Sequence, residues 1–252
     1  MDVLYVVRKS DWNQELKYSL RSVCENLSGT DKVVICGHLP RYIDPSMVNH
    51  IEWIFPEYDP SKENELLIKK LVYAVKNGEL SEDFVYMCDD FLFIKEVEQQ
   101  DIKPLVLEDM NKIYRGNGDG NNWIKMLWKT FDWVKATGGY GWNCESHTPK
   151  IFNRDKFLEM MERYRPAWEN SVHMCDAICY ETAYFNYVGI DKQDVRYGYG
   201  DRVGILEWHA EEEIVNSLAE HATYMYYNDA GLSTALKNWI EHRFPNKSKY
   251  EL

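Results

Sequence analysis

Three short runs, Val3-Leu4-Tyr5-Val6-Val7, Val33-Val34-Ile35-Cys36 and Phe84-Val85-Tyr86-Met87-Cys88, are apolar at every position and rich in β-branched or aromatic residues. A strand apolar on both faces must be covered on both faces, which restricts the chain to a sheet sandwiched by other elements. The intervening segments have the spacing of helices. Leu16, Leu20, Val23 and Leu27 follow the first run, and Leu66, Leu67, Leu71 and Val75 precede the third, with Asn77-Gly78 as a stop and a start near Ser61. Ile51-Glu52-Trp53-Ile54-Phe55, before Pro56, reads as a further strand. Strands alternating with helices predict an α/β fold with a mixed, mainly parallel sheet flanked by helices. In such sheets ligands gather at the carboxyl ends of the strands, where Arg8, Gly37 and Asp90 would lie.

The rest of the chain is less regular. Arg115 to Asn122 carries three glycines and reads as a long surface loop or a mobile lid. Gly138-Gly139-Tyr140-Gly141 is a second break. Between them Trp123, Leu127, Phe131 and Val134 recur at helical spacing. Pro149-Lys150-Ile151-Phe152 reads as a short strand, Arg154 to Tyr164 as an amphipathic helix with Phe157, Leu158 and Met161 inward, and Asp176 to Tyr187 as another helix. Leu206-Glu207-Trp208, Thr223 to Tyr227 and a helix from about Ser233 to His242 close the fold. No repeat and no Pro, Gly or Ser-rich linker forces a boundary. The expectation is one domain over residues 1–252, with 1–110 forming a nucleotide-binding half and 111–252 an acceptor-side half.

A chain of 252 residues with 45% hydrophobic and 14% aromatic content can bury a large core. It contains no 18-residue apolar run, and Met1 to Tyr5 reads as a first strand with no basic segment ahead of it. Neither a membrane span nor a signal peptide is expected, and the cytoplasm is the default compartment. The six cysteines show no CxxC pairing, which argues against zinc and disulfides. Forty-one acidic against 29 basic residues give a net charge of −12, which weakens any broad attraction to nucleic acid but leaves room for a local basic groove.

The third apolar run breaks at Asp89-Asp90 and then resumes as Phe91-Leu92-Phe93. Two adjacent carboxylates at a strand end repel each other, and a divalent cation shared with a phosphate relieves that repulsion. The same pair also opens turns and caps helices.

Asn13 to Ser22, followed by Lys32 to Gly37, resembles a conserved block of the Stealth family of sugar-phosphate transferases, which also contains an aromatic strand ending in Asn-Asp-Asp. Cys88-Asp89-Asp90 is the counterpart here, and Glu63-Asn64-Glu65 falls where that family has an Asn-bearing helix start. His147-Thr148-Pro149 with Phe152-Asn153-Arg154-Asp155 is similar to its His-x-Pro block, and Asp176 with the aromatic segment after it is similar to its last block. The first block differs, since Tyr5 to Asp11 lacks the family's Trp-Val-Asp-Gly, and Cys88 stands for its Asn. The wider class implied is the GT-A (Rossmann-like) glycosyltransferase fold, with a metal at an Asp-x-Asp-like strand end.

The resemblance implies a nucleotide-sugar-dependent glycosyltransferase. Asp90, with Asp89, would hold Mn²⁺ or Mg²⁺ on the donor diphosphate. Arg8, Arg21, Asn64 and Asp89 would contact the donor, expected to be a UDP-sugar, although Arg21 reads equally as half of a structural ion pair and Asn64 and Lys69 as a solvated helix face. His147 is a candidate general base or a donor to phosphate, and Asp176 would orient it, take a proton from the acceptor or cap a helix. The acceptor hydroxyl belongs to a saccharide or to a hydroxymethylated base in virus DNA, for which Lys125, Lys129 and Lys135 form the patch to inspect. Two alternatives stay open: transfer of a sugar-1-phosphate, and a non-catalytic carbohydrate-binding module in which tryptophans and tyrosines stack on sugar rings.

Overall fold

The computed structural model describes residues 1–56, 59, 61–116, 121–190, 196, 197 and 201–252, with the backbone alone at 63 and 197. The elements that position the site are β1 (Asp2–Val7), α1 (Gln14–Asn26), β2 (Val33–Gly37), β3 (Asn49–Ile51), α2 (Glu63–Asn77), β4 (Asp83–Met87) and β5 (Phe91–Phe93). They are followed by α3 (Asn122–Ala136), β6 (Lys150–Asn153), α4 (Arg154–Arg163), α5 (Tyr180–Val188), β7 (Arg202–Ile205), α6 (Glu212–Ala219), β8 (Tyr224–Tyr227) and α7 (Thr234–Arg243).

The central sheet has the order β6-β4-β1-β2-β3. Four of its strands are parallel, with Tyr5 opposite both Ile35 and Met87, and β6 joins antiparallel with Phe152 opposite Phe84. Alternation along the buried strands builds two cores. Leu4, Val34, Phe84 and Phe152 pack with Leu71, Val75, Phe157 and Tyr184 of α2, α4 and α5. Val3, Tyr5, Ile35 and Met87 point the other way, onto Leu16, Leu20 and Val23 of α1 and onto Phe91 and Phe93. The fold is therefore mixed α/β, with a mainly parallel sheet flanked by helices, as the run pattern predicts.

A three-stranded sheet, β7-β8-β5, lies beyond β4 in the chain. β7 and β8 are parallel, and β8 pairs antiparallel with β5, placing Tyr226 opposite Phe91. The chain leaves one sheet at Met87 and enters the other at Phe91, so Cys88, Asp89 and Asp90 form the hinge between them.

Several boundaries differ from the sequence reading. The strand expected over 51–55 is Asn49–Ile51 and ends there, because Trp53 turns into an aromatic cluster with Phe55 and Tyr73, ring centroids 4.8 and 5.5 Å away. Leu67, expected inward on α2, is 49% exposed, while Ile68 is buried in its place. The helix expected from Asp176 starts at Tyr180. Met174–Asp176 is a single 3₁₀ turn, and the amide of Cys179 donates to Thr130 Oγ1 at 2.8 Å, which ties the approach to α5 onto α3. β7 ends at Ile205, where its partner β8 ends, and leaves Leu206 and Trp208 exposed. Of the expected Gly-rich lid, residues 117–120 lie outside the described residues. All six cysteines are free, and among the described residues no helix is long and apolar enough to cross a membrane.

Candidate functional site

The parallel strands bring Val7-Arg8, Gly37 and Met87 to one edge. Gly37 has φ +120, and a Cβ there would fall 2.3 Å from the Val7 carbonyl oxygen, so only glycine lets β1 and β2 finish side by side. His38 follows and pairs through Nε2 with Asp11 Oδ1 at 2.9 Å.

An acidic corner sits at the end of β4. Asn13 caps α1 by accepting from the Leu16 amide at 2.9 Å, and its Nδ2 donates to Asp89 Oδ2 at 2.7 Å. The cap thus fixes the Asp89 carboxylate against the first turn of α1, which also carries Glu15. Burial, and then the charge of Asp89, pushes the Asp90 carboxyl up to about 7, with Glu15 adding to the shift and His147 opposing it. Glu15 is likewise pushed up to about 7, by burial and then by Asp89 and Asp229, against Arg8. The hydroxyl of Tyr227, wholly buried at the end of β8, has no hydrogen-bond partner among the described residues. Burial pushes its pKa up, followed by the charges of Glu15, Asp90 and Asp89. Negative charge is concentrated here beyond what neighbouring cations offset.

The adjoining corner, built on β6 and α5, is matched in charge. Lys150 Nζ lies 2.9 Å from Glu181 Oε2 and donates to the Thr148 carbonyl at 2.8 Å, and both side chains are buried. His147 has a left-handed backbone, φ +47, and its Nε2 lies 2.9 Å from Glu145 Oε1. Its ring stacks on Tyr226 at 4.7 Å and meets Phe91 edge-on at 6.3 Å. Burial opposes protonation of His147, but the hydrogen bond to Glu145, its charge and that of Glu181 outweigh burial, and the pKa is raised.

A cleft of about 590 Å³ opens over the ends of β1 and α2, lined by Arg8, Lys9, Trp53, Asn64, Lys70 and His173. The Lys70 ammonium donates to the Val7 carbonyl at 2.7 Å and lies 5.6 Å from the Trp53 ring centroid. The cleft is basic where the corner at Asp89 is acidic. Arg8 links them, as it lines the cleft and its charge reaches Glu15.

The structure thus brings together Arg8, Asn64, Asp89, Asp90 and His147 along one edge. Arg21 and Asp176 make their contacts elsewhere. The Arg21 guanidinium donates to both carboxylate oxygens of Glu251, at 2.7 and 2.8 Å, and to the Phe244 carbonyl. This bears out the ion-pair alternative for Arg21. Asp176 is exposed, accepts from the His173 amide at 3.2 Å, and receives the Lys129 ammonium on its carbonyl. Its contacts are with α3 and the 3₁₀ turn Met174–Asp176, where it closes a capping box with His173, and it does not cap α5, which begins four residues later. Glu15, Glu145, Lys150, Glu181 and Tyr227 escape a reading of the sequence. They come from distant segments that only the fold assembles.

The acidic corner suits a hard divalent cation. Mg²⁺ and Mn²⁺ need only one or two protein carboxylates when waters and a phosphate complete the shell. Two adjacent carboxylates and a buried hydroxyl without a partner are compatible with that. Among the described residues no three His, Cys, Asp or Glu side chains are placed to hold a metal by themselves, so the fit is to an ion shared with substrate.

No protein-family model matches the sequence, and no curated protein is significantly similar to it. Solved structures do align with it. A galactosyltransferase, LgtC, in complex with donor and acceptor sugar analogs is 11% identical, with 99% of this chain and 97% of that chain covered and a TM-score of 0.48. An active-site mutant of LgtC is 11% identical, with 99% and 98% covered and a TM-score of 0.46.

Proposed function

We propose that this chain is a metal-dependent glycosyltransferase with a GT-A-like domain, moving a sugar from a nucleoside diphosphate donor to an acceptor hydroxyl. The observation that carries the reading is the contrast at one sheet edge between the excess negative charge of Asp89, Asp90 and Glu15 and the basic cleft beside it. A nucleotide-sugar bridges such a pair: its diphosphate requires cations, and a metal held by carboxylates requires an anion.

In this reading Asp90 and Asp89 hold Mn²⁺ or Mg²⁺. When bound, the ion supplies Lewis-acid stabilisation of the departing diphosphate. Asn13 keeps Asp89 oriented, and Arg8 and Lys9 add positive charge along the cleft. Trp53 and Asn64 supply an apolar wall and a polar contact for the nucleoside, expected to be uridine. The donor then occupies the edge built by residues 1–110, and the side formed by residues 111–252 receives the acceptor.

A saccharide hydroxyl is the favoured acceptor. Of the three lysines that would form a DNA-binding patch, Lys129 is engaged by the Asp176 carbonyl and Lys135 by the Tyr140 carbonyl at 3.0 Å. With a net charge of −12, little remains to hold a phosphate backbone.

The test is a thermal-shift screen against uridine, guanosine, cytidine and adenosine diphosphates and their sugar conjugates, each with and without Mn²⁺. Ligand in excess raises Tm by mass action. A metal-dependent rise that is lost in Asp90→Asn supports the reading and names the base, and no rise with any nucleotide overturns it. Product analysis then separates the two transfers, because sugar transfer releases a nucleoside diphosphate and sugar-1-phosphate transfer releases the monophosphate.

A further inference from the structure

Of the nine tryptophans, seven are buried or half-buried, and two, Trp12 and Trp208, are each 68% exposed. Trp12 belongs to the half read as holding the donor, and Trp208 to the half read as receiving the acceptor. A single exposed apolar side chain means little by itself. What distinguishes Trp208 is where the fold holds it and what surrounds it.

β7 and β8 run parallel and end together, Ile205 opposite Tyr227, and β8 is antiparallel to β5, with Tyr226 opposite Phe91. Carried one residue on, that register sets Tyr227 level with Asp90. The end of β7 is then two strand spacings, about 10 Å, from the acidic corner, and the chain beyond it emerges on the same edge. Residues 206–209 are pinned at both ends. A Cβ on Gly231 would overlap the Ile205 carbonyl oxygen, so the turn after β8 is pressed onto the end of β7. The Gly231 amide closes that turn, donating to the Asn228 carbonyl at 2.9 Å and to Asn228 Oδ1 at 2.8 Å. The Ser233 hydroxyl, which caps α7, donates to the His209 carbonyl at 3.1 Å. Between these anchors the Trp208 indole makes no hydrogen bond and no ring contact among the described residues. It is a flat apolar surface held out on a fixed segment, and a ligand that covers it has little chain entropy to overcome.

The charge around the indole selects that ligand. From Val203 to Leu236 the chain has six acidic residues, Glu207, Glu211, Glu212, Glu213, Glu220 and Asp229, and no lysine or arginine. Glu207 and Asp229 are exposed, and the charge of Asp229 reaches Glu15 at the corner. Such a margin repels phosphates, sulfates and nucleic acid. A saccharide without acidic groups suits it, because the C–H face of a sugar ring packs on an indole while its hydroxyls donate to carboxylates. We propose that Trp208 is the platform on which the acceptor, an oligosaccharide without acidic groups, stacks a ring next to the one that receives the transferred sugar. The inference rests on the glycosyltransferase reading above and names its acceptor class. The distance between the end of β7 and the corner makes the stacked ring a different one from the accepting ring, so the acceptor has at least two.

The test is a glycan array carrying neutral, amino, sialylated and sulfated oligosaccharides together with their monosaccharides. It is probed with the intact protein, Trp208→Ala and Trp208→Tyr, each with Mn²⁺ and the nucleoside diphosphate that gives the thermal shift, and bound glycans are then titrated calorimetrically. Wild type retains oligosaccharides without acidic groups and not the matching monosaccharides. Trp208→Ala weakens them about tenfold, and Trp208→Tyr recovers most of the loss. Both variants keep the wild-type Tm and the Mn²⁺-dependent nucleotide shift, and in turnover with a captured glycan Trp208→Ala raises the acceptor KM and not the donor KM. If Trp208→Ala holds the same glycans as tightly as wild type, if acidic glycans are preferred, or if no glycan binds while the nucleotide shift persists, the inference falls alone. Self-association of the wild type that Trp208→Ala abolishes in sedimentation gives the indole to a second copy of the chain and overturns it too. Absence of any nucleotide shift in the wild type overturns the transferase reading and this one with it.

Discussion

Two clusters of buried ionisable groups occupy the same end of the molecule, and the fold treats them differently. Around β6 and α5 the buried charges are paired in the chain: Lys150 with Glu181, and His147, ahead of β6, with Glu145. At the end of β4, burial and then the charge of Asp89 raise the proton affinity of both Asp90 and Glu15, and the tyrosine hydroxyl behind them has no partner among the described residues. Buried charge is costly unless compensated, and on the reading proposed above an outside cation completes the uncompensated corner. The matched corner is then scaffold and the unmatched corner the site.

Removing a carboxylate from the unmatched corner is expected to have the largest effect. Asp90→Asn lowers transferase turnover by about two to three orders of magnitude, because charge stabilisation of the leaving group goes with the ion. Its metal-free form stays folded by circular dichroism, since the protein loses a repulsion and no partner. An Asp90→Asn enzyme with near-normal turnover breaks the distinction between the corners.

The matched corner answers in stability. Lys150→Met strands Glu181 as a buried carboxylate and costs about 3–5 kcal/mol, whereas Lys150→Met with Glu181→Leu recovers most of that loss. Urea melts of the two variants decide the point, and equal destabilisation by both means that the pair contributes through packing instead.

These corners also show why the sequence could be read only in part. The strands were legible because Val3–Val7, Val33–Cys36 and Phe84–Met87 are apolar at every position, as strands covered on both faces must be. Asp89-Asp90 was legible as a local break in such a run. Glu145 and Glu181 were not: Glu145 sits between recognisable elements, Glu181 on a segment legible only as a helix, and both gain meaning only when β6 joins the sheet beside β4. The helix start at Tyr180 was misplaced for the same reason. Nothing local distinguishes Asp176 from a cap, and it is Thr130, on α3, that holds the segment before α5 out of the helix.

The contrast between the corners has a pH signature. Burial and then the charge of Asp89 push the Asp90 carboxyl up to about 7 in the fold, from 3.8 for the free side chain. The unfolded chain therefore gives up this proton first as pH rises. The stability Asp90 contributes is fully present below about pH 4 and is lost as pH climbs through about 7. Without metal, the wild type loses on the order of 2–4 kcal/mol between those limits relative to Asp90→Asn. Chemical denaturation across that range tests it, and saturating Mn²⁺ should flatten the difference. Parallel pH dependences of the two proteins would place Asp90 in ordinary solvent.

Arg21 tests the boundary of the site from outside. Its guanidinium makes a bidentate contact with Glu251, and both side chains are largely buried. Arg21→Ala should cost about 2 kcal/mol through the carboxylate it strands, with kcat and the donor KM unchanged in the fraction that folds. A raised KM for donor would return Arg21 to the binding cleft.

The smallest effect expected is the most discriminating, because it separates the two functions of Asn13. That side chain caps α1 through Oδ1 and holds Asp89 through Nδ2. Serine caps a helix about as well as asparagine but has no second donor to offer Asp89. Asn13→Ser should therefore leave Tm nearly unaltered, within about 0.5 kcal/mol of wild type, yet weaken Mn²⁺ binding about tenfold, as loss of a partner that orients a ligand does. Asn13→Ala, lacking both, adds a stability loss of about 1 kcal/mol to the same drop in affinity. Were both variants to lose stability while Mn²⁺ binding stayed intact, Asp89 would need no orientation from α1. The ion would then rest on Asp90 and the donor phosphates, and the acidic corner would owe its form to Asp90 alone.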